Sequence, residues 1–264
     1  MMWEDLTKAQ RWAAADRLAE ERLPEVNAKS DPVHPSVTLY ARYGKRVLDV
    51  VISGFALVVT SPINLVAAIM TKKDVGSPIL FRQERIGKDG KPFTVVKFRN
   101  MTNAVDERGE LLRPELRITK FGRMMRKTSL DELLNFWSVF KGDMSLIGPR
   151  PLVPEYTNRY SDRHRMRLAV RPGLECPPRS LDCGVRTWQD QFENDVWYVE
   201  HVSFKTDCIM MVNLVRFAFD SKSANARADS LRGSFIGYTS NGYAANQECV
   251  PPDLIDEVGG EATL

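Results

Sequence analysis

The segment VLDVVISGFALVVTSPINLVAAIM, Val47 to Met70, is the one long apolar run in this chain, and it limits what the rest can fold into. Its length of about 24 residues is enough to cross a bilayer as a straight helix, for which roughly 20 suffice. Pro62 opposes a straight crossing: it lacks a backbone N–H and crowds the preceding turn, so a break or kink is expected beside Ser61. Arms of about 14 and 8 residues on either side would measure roughly 21 and 12 Å, and neither crosses alone. The Ser61 hydroxyl is placed to satisfy a carbonyl that such a break frees. Arg42, Lys45 and Arg46 precede the run, and Lys72 and Lys73 follow it. Positive residues favour the cytoplasmic side, so a helix hairpin suits both clusters and a span misplaces one. Asp49, beside Arg46, is expected at headgroup level. The residues alone leave three readings: a re-entrant hairpin hinged at Ser61 and Pro62, a kinked spanning helix, and a soluble core helix, which the missing polar face disfavours.

Composition narrows the remainder. The 264 residues allow one good core or a core with appendages. With 37 basic and 34 acidic residues the net charge is +3, too balanced to indicate a nucleic-acid partner. Cys176, Cys183, Cys208 and Cys249 show no CxxC spacing and read as reduced cytosolic thiols. The N-terminus, MMWEDLTKAQRWAAADRL, has early acids and no apolar core, unlike a secretory signal.

Along the chain, residues 1–40 read as a polar helix from Leu6 to about Leu23, stopped by Pro24, and a linker. The membrane segment covers 41–75, a catalytic domain 76–220 and a loosely ordered tail 221–264. PILFRQERIG and FTVVKFRNM read as strands joined by the turn KDGKP. LRITKFGRMMRK is a basic amphipathic helix, suited to an anionic membrane surface or to a solvated face. TSLDELLNFWSVFKG has helical spacing with Gly142 as its stop. DMSLIGPRPLVPEY is a proline-punctuated loop, and residues 188–199 and 204–219 are helical.

Asp131 and Glu132 are adjacent carboxylates at an expected helix start. Ser129-x-x-Glu132 fits a capping box, and acids are favoured there by the helix dipole. That reading leaves the Asp131 side chain unused. Arg126 lies about a turn earlier, and Arg150 sits between two prolines in Gly148-Pro149-Arg150-Pro151. A rigidly presented guanidinium near a helix N-terminus suits phosphate. Two carboxylates could hold Mg²⁺, or one could attack phosphorus. Together these residues point to phosphoryl transfer beside a membrane.

KRVLDVVISGFALVVTSP, ILFRQERIGKDGKPFTVVKFRNM, RITKFGRMMRKTSLDELLNFWSVFKGDMSLIGPRPLVPEY and VRPG resemble, in order and spacing, the monotopic phosphoglycosyl transferases, the bacterial sugar transferase family. The likeness runs from about Lys45 to Phe219. It implies an α/β, mostly helical fold: a re-entrant membrane helix hairpin hinged at Ser61-Pro62, plus a compact α/β catalytic domain with amphipathic interfacial helices. It implies a monotopic enzyme of the cytoplasmic face of a bacterial inner membrane, initiating glycoconjugate assembly. The implied reaction moves a sugar 1-phosphate from a UDP-sugar to undecaprenyl phosphate, with release of UMP. By the same resemblance Asp131 is the nucleophile of a covalent phosphosugar intermediate, and Glu132, with Asp131, binds the cofactor Mg²⁺. Arg126 and Arg150 match phosphate-contacting arginines, and Asp143 matches the acid of KGDMS. Family members are often homodimers, and nothing in this sequence demands it.

One stretch departs from the family pattern. After VRPG, where a segment close to ITGLAQVNGRN is usual, Leu174 to Val185 reads LECPPRSLDCGV. Similarity resumes at Trp188. Pro177-Pro178, Arg179 and Arg186 are candidates to rebuild the nucleotide-sugar wall, with Arg179 a substrate contact. The competing reading is a catalytically silent scaffold of the same fold within a glycan assembly complex.

Overall fold

The computed structural model describes residues 2–107, 109, 111–112, 114–177, 187–219 and 233–260. Helix α1 (Lys8–Ala28) opens with a capping box in which Thr7 and Gln10 exchange hydrogen bonds. It does not stop at Pro24, as the sequence suggested. The carbonyl that proline deprives of its N–H belongs to Glu20, an exposed residue open to solvent, and buried Ala14, Ala15, Leu18 and Ala19 hold the helix in place.

A π-helical turn (Tyr40–Gly44) leads into α2 (Lys45–Val75), the apolar helix. The expected break at Ser61-Pro62 does not interrupt it; helical conformation runs unbroken through both residues. Its middle is exposed, with Phe55 70% and Val58 73% accessible. Both ends are fastened to the same globular body. Near the start, the Arg46 guanidinium donates to the Val139 and Phe140 carbonyls, both at 2.6 Å. Near the end, Ala67 packs with Phe98 and Met125, and Thr119 Oγ1 donates to Asp74 at 2.5 Å. Asp49 does not sit at headgroup level. It is buried, accepting from Ser145 Oγ and the Leu146 N–H at 3.0 Å each, because an aspartate one turn into the helix meets two donors there.

Strands β1 (Leu80–Ile86) and β2 (Pro92–Phe98) form the expected antiparallel ribbon, with Phe81 opposite Lys97. Then come the single turn α3 (Pro114–Arg117), α4 (Lys120–Thr128) and α5 (Asn135–Lys141). The loop expected over 143–156 contains a short strand, β3 (Ser145–Ile147). After α6 (Asp162–Arg165), β3 pairs in parallel with β4 (Gly173–Glu175). The helices expected over 188–199 and 204–219 are α7 (Trp188–Glu200) and α8 (Phe204–Phe219). On α8, Phe204, Ile209, Val212 and Val215 remain exposed, a second apolar surface similar in composition to that of α2.

The C-terminal segment departs most from expectation. Residues 233–260 are not a loose tail: they form the hairpin β5 (Gly237–Tyr238) and β6 (Ala244–Ala245), then α9 (Pro252–Gly260). Phe235 and Tyr238 fill a core with Tyr156, Tyr160, Trp188 and Phe192, while Ile236, Val250 and Ile255 pack on Leu6, Ala15 and Leu18 of the N-terminal segment. The fold is mostly helical, with three two-stranded sheets among the described residues.

Candidate active site

The Asp131-Glu132 pair rides on a 3₁₀ turn (Leu130–Glu132) between α4 and α5, not at a helix start. Ser129 ends α4 in the left-handed region, with φ 56°, and its side chain makes no cap. The capping box read from the sequence therefore does not form. Glu132 faces two cations that hold it more strongly than a backbone N–H would. Leu130 anchors the turn in the cluster of Ala67, Phe98 and Met125, which ties the dyad to the apolar helix. Behind it, α4 approaches the segment that follows β2 so closely that a Cβ on Gly122 would lie 2.0 Å from the Asn100 carbonyl oxygen. Only glycine permits that approach.

Each carboxylate has its own environment. Asp131, 5% exposed, accepts from Asn100 Nδ2 at 2.8 Å. Glu132 Oε1 accepts from Lys97 Nζ at 2.5 Å and from Arg150 Nη2. Arg150 also reaches the Leu174 carbonyl and Glu175 Oε2, both at 3.3 Å. Burial and the neighbouring Glu132 charge push the Asp131 carboxyl up, against the pull of Lys97, Arg126 and Arg150. For Glu132, burial is outweighed by Arg150 and Lys97, which hold it well below the usual carboxylate range. Adjacent residues are thus driven in opposite directions, the pattern of a fixed anion beside a more basic partner.

Of the residues singled out in the sequence, Asp131, Glu132 and Arg150 come together here, and Arg126 acts on Asp131 through its charge. Asp143 does not join them: it lies past the far end of α5, paired with Lys141 at 2.6 Å. Its sequence position beside Gly142, which stops α5, carries it away from the turn that starts before that helix. Arg179 lies outside the described residues. Ser61 and Pro62 sit in the apolar helix. Lys97 and Asn100 were missed, although a lysine between Val96 and Phe98 in an apolar strand is a visible anomaly. Also missed was the buried pair Arg167–Asp195, at 2.8 Å, whose guanidinium donates to the Arg150 carbonyl at 2.8 Å and fixes the proline-flanked backbone.

No group of three or more His, Cys, Asp or Glu side chains forms a metal cage among the described residues. The partners described for Asp131 and Glu132 engage Oδ2 of the first and Oε1 of the second, leaving each carboxylate a second oxygen. Such a sparse oxygen set fits Mg²⁺, which binds one or two carboxylates together with substrate phosphates.

Comparison with known proteins agrees with this geometry. The bacterial sugar transferase profile matches residues 40–221. An uncharacterized sugar transferase of Bacillus subtilis is 42% identical over 172 residues, covering 65% of this chain and 85% of that protein. A UDP-glucose:undecaprenyl-phosphate glucose-1-phosphate transferase of Klebsiella pneumoniae is 40% identical over 190 residues, 68% of this chain and 41% of the relative. One of the same name from Caulobacter vibrioides is 35% identical over 181 residues, 65% of this chain and 68% of that protein. The chain thus spans less than half of the Klebsiella relative and most of the Bacillus one. Because the matched residues include the apolar helix, the dyad turn and Arg150, the chain belongs to the bacterial sugar transferase family.

Proposed function

We propose that this protein transfers a sugar 1-phosphate from a UDP-sugar to undecaprenyl phosphate at a membrane surface, through a covalent intermediate on Asp131. The observation that carries this reading is the split dyad: Asp131 is buried with its carboxyl pushed up, while Glu132 is pinned as an anion between Lys97 and Arg150. A carboxylate with a raised pKa is the more basic, hence more nucleophilic, of two neighbours. Named relatives that act on undecaprenyl phosphate with UDP-glucose support the substrate classes.

In the first half-reaction an ionised Asp131 oxygen bonds to the β-phosphorus of the UDP-sugar, and the bond to the bridging oxygen breaks. UMP leaves with that electron pair and carries two negative charges; the acyl phosphosugar retains one. In the second, an oxygen of the undecaprenyl phosphate dianion attacks the same phosphorus, and the bond to Asp131 breaks. The undecaprenyl diphosphate sugar leaves and the carboxylate is restored, so no proton need be supplied. Arg150 and Arg126 supply positive charge to the phosphates, and Lys97 holds Glu132 in place. Asp131 and Glu132 would hold Mg²⁺, which would supply charge neutralisation of the diphosphate.

The lipid phosphate stays at the interface, and Leu130 joins the dyad turn to α2. A straight spanning helix carries its far end across the bilayer. Here Arg46 and Asp49 at one end and Thr71 and Asp74 at the other touch one globular body, which supports a re-entrant helix bent at Pro62. Exposed Trp137, Phe140 and the α8 residues would lie in the interface of the cytoplasmic leaflet.

The test is UMP release from a panel of UDP-sugars by the purified full chain with Mg²⁺ and undecaprenyl phosphate, beside Asp131→Asn. Lipid-dependent release lost in the variant is the expected result. Without lipid, the wild type should gain the mass of one sugar phosphate. Release that persists in Asp131→Asn removes the aspartyl step.

A further inference from the structure

Both terminal nitrogens of Arg150 are engaged by carboxylates of this chain. Nη2 meets Glu132, and Nη1 meets Glu175 Oε2 at 3.3 Å. The four side chains alternate in sign, Lys97, Glu132, Arg150, Glu175, and Glu175 is only 14% exposed. A phosphate uses a guanidinium best through two parallel N–H donors, so an arriving phosphate finds the fork already occupied. One carboxylate must yield. Glu132 takes the shorter Arg150 contact; Glu175 accepts the Cys176 N–H at 3.2 Å through Oε1 and meets Arg150 through Oε2 at the longer one. Glu175 also stands at the edge of the stretch beginning at Leu174, where the chain departs from the usual family sequence.

We propose that Glu175 is an internal phosphate mimic: its carboxylate occupies the Nη1 side of Arg150 in the substrate-free protein and is displaced by the nucleotide's phosphate. The inference rests on the sugar-phosphate transfer reading and adds a specificity-determining residue to it. Displacement sets a threshold for what binds. A dianionic or metal-neutralised diphosphate can outcompete one carboxylate, and a weaker anion cannot. The same carboxylate re-forms its pair as UMP departs, which favours release. If the open fork is populated about one-tenth of the time, observed affinity is about ten-fold below intrinsic affinity.

The test is UMP binding by calorimetry to the full chain in nanodiscs, comparing wild type, Glu175→Gln and Glu175→Thr, with thermal melts to establish folding. Both variants should bind UMP about ten-fold more tightly. The KM for the UDP-sugar should fall in parallel, and kcat should fall or stay level as UMP leaves more slowly. A second substitution guards against one that fails to fold. Equal or weaker UMP binding by a folded variant overturns the proposal and makes Glu175 a strut that positions Arg150. If neither wild type nor variants bind UMP, the transfer reading falls, and this inference falls with it. Tighter binding in the variants with no transfer by wild type supports the mimic and counts against catalysis alone.

Discussion

The Ser61 hydroxyl donates to the Val58 carbonyl at 2.8 Å, the acceptor that Pro62 has no N–H to serve. The pair solves the problem of a proline in lipid, where water cannot reach an orphaned carbonyl. Thr60 Oγ1 donates to the Ala56 carbonyl at 2.8 Å, a second side-chain bond to the backbone in the same turn. A re-entrant path puts Tyr43 and Lys73 on one side of the membrane. Single cysteines at these positions, in a background without the native four, should both resist an impermeant maleimide in intact cells and both react after permeabilisation. Labelling of one end alone from outside would establish a span.

Asp131→Asn should abolish transfer without destabilising the fold. The Asp131 carboxyl is raised above its ordinary value of 3.8, chiefly by burial and then by Glu132, so the folded protein holds that proton more tightly than the unfolded chain. Its stabilising contribution is present below 3.8 and lost as pH rises through the folded value. At neutral pH the ionised side chain is therefore a net cost, which asparagine removes while keeping an acceptor for Asn100. The melting temperature of this variant should equal or exceed that of wild type, and transfer should decline in wild type as acidification protonates the nucleophile.

Glu132→Gln should behave oppositely. Its depressed pKa means that its contribution is present above 4.5 and is lost as pH falls through the folded value. Neutralising it leaves Lys97 and Arg150 facing each other without their shared anion. For side chains about one-fifth to one-third exposed, a cost of about 2 kcal/mol lies between surface and buried pairs. That is a drop of roughly 4–8 °C in a thermal melt. An unchanged melting temperature would show that the three-residue cluster carries no net stability.

The contrast between these neighbours marks where sequence reading succeeded and where it stopped. Local signals were legible: alternation and the KDGKP turn specified the β1–β2 ribbon, and helical spacing specified α7 and α8. That Glu132 and Arg150 would meet was legible from their residue types and the proline-fixed backbone. The geometry of the dyad was not, because Ser129 fits a cap pattern equally well whether it opens one helix or, as here, closes another in the left-handed region. Lys97, Asn100 and Glu175 reach the site across 31 to 43 positions of chain from Asp131 or Glu132, and no local period encodes such a meeting. The C-terminal segment was misread because its apolar residues, Phe235, Ile236 and Tyr238, are too few to form a core alone. They become one only against α1 and α7.

Gly122→Ala tests the close approach of α4 to the segment after β2. An alanine Cβ placed 2.0 Å from the Asn100 oxygen has backbone, not a flexible side chain, in its way. The helix and the Asn100 backbone must separate, at a cost on the order of 2–3 kcal/mol for overpacking. Asn100 moves with its carbonyl, and its amide leaves Asp131. Transfer should fall by more than the loss of folded protein explains, as measured by activity normalised to the folded fraction. Activity per folded molecule equal to wild type would show that Asn100 does not position the nucleophile.

Phe235→Ala asks whether the C-terminal segment is structural or incidental to the family domain. The Phe235 ring is wholly buried, 4.9 Å from Phe192 and 5.6 Å from Tyr156 between centroids, and its N–H donates to the Tyr156 hydroxyl at 3.0 Å. Tyr156 follows Arg150 by six residues, and Phe192 carries the Arg167 guanidinium on its face at 5.5 Å. Truncation empties a rigid aromatic site that cannot collapse fully, a loss of about 3–5 kcal/mol. Through Arg167 the cavity borders the group that fixes the Arg150 backbone, so nucleotide affinity should weaken along with stability. A variant that melts lower but binds UMP as wild type would confine the segment to folding. Weaker UMP binding well below the melting transition would establish that residues beyond the family match tune the phosphate site from behind.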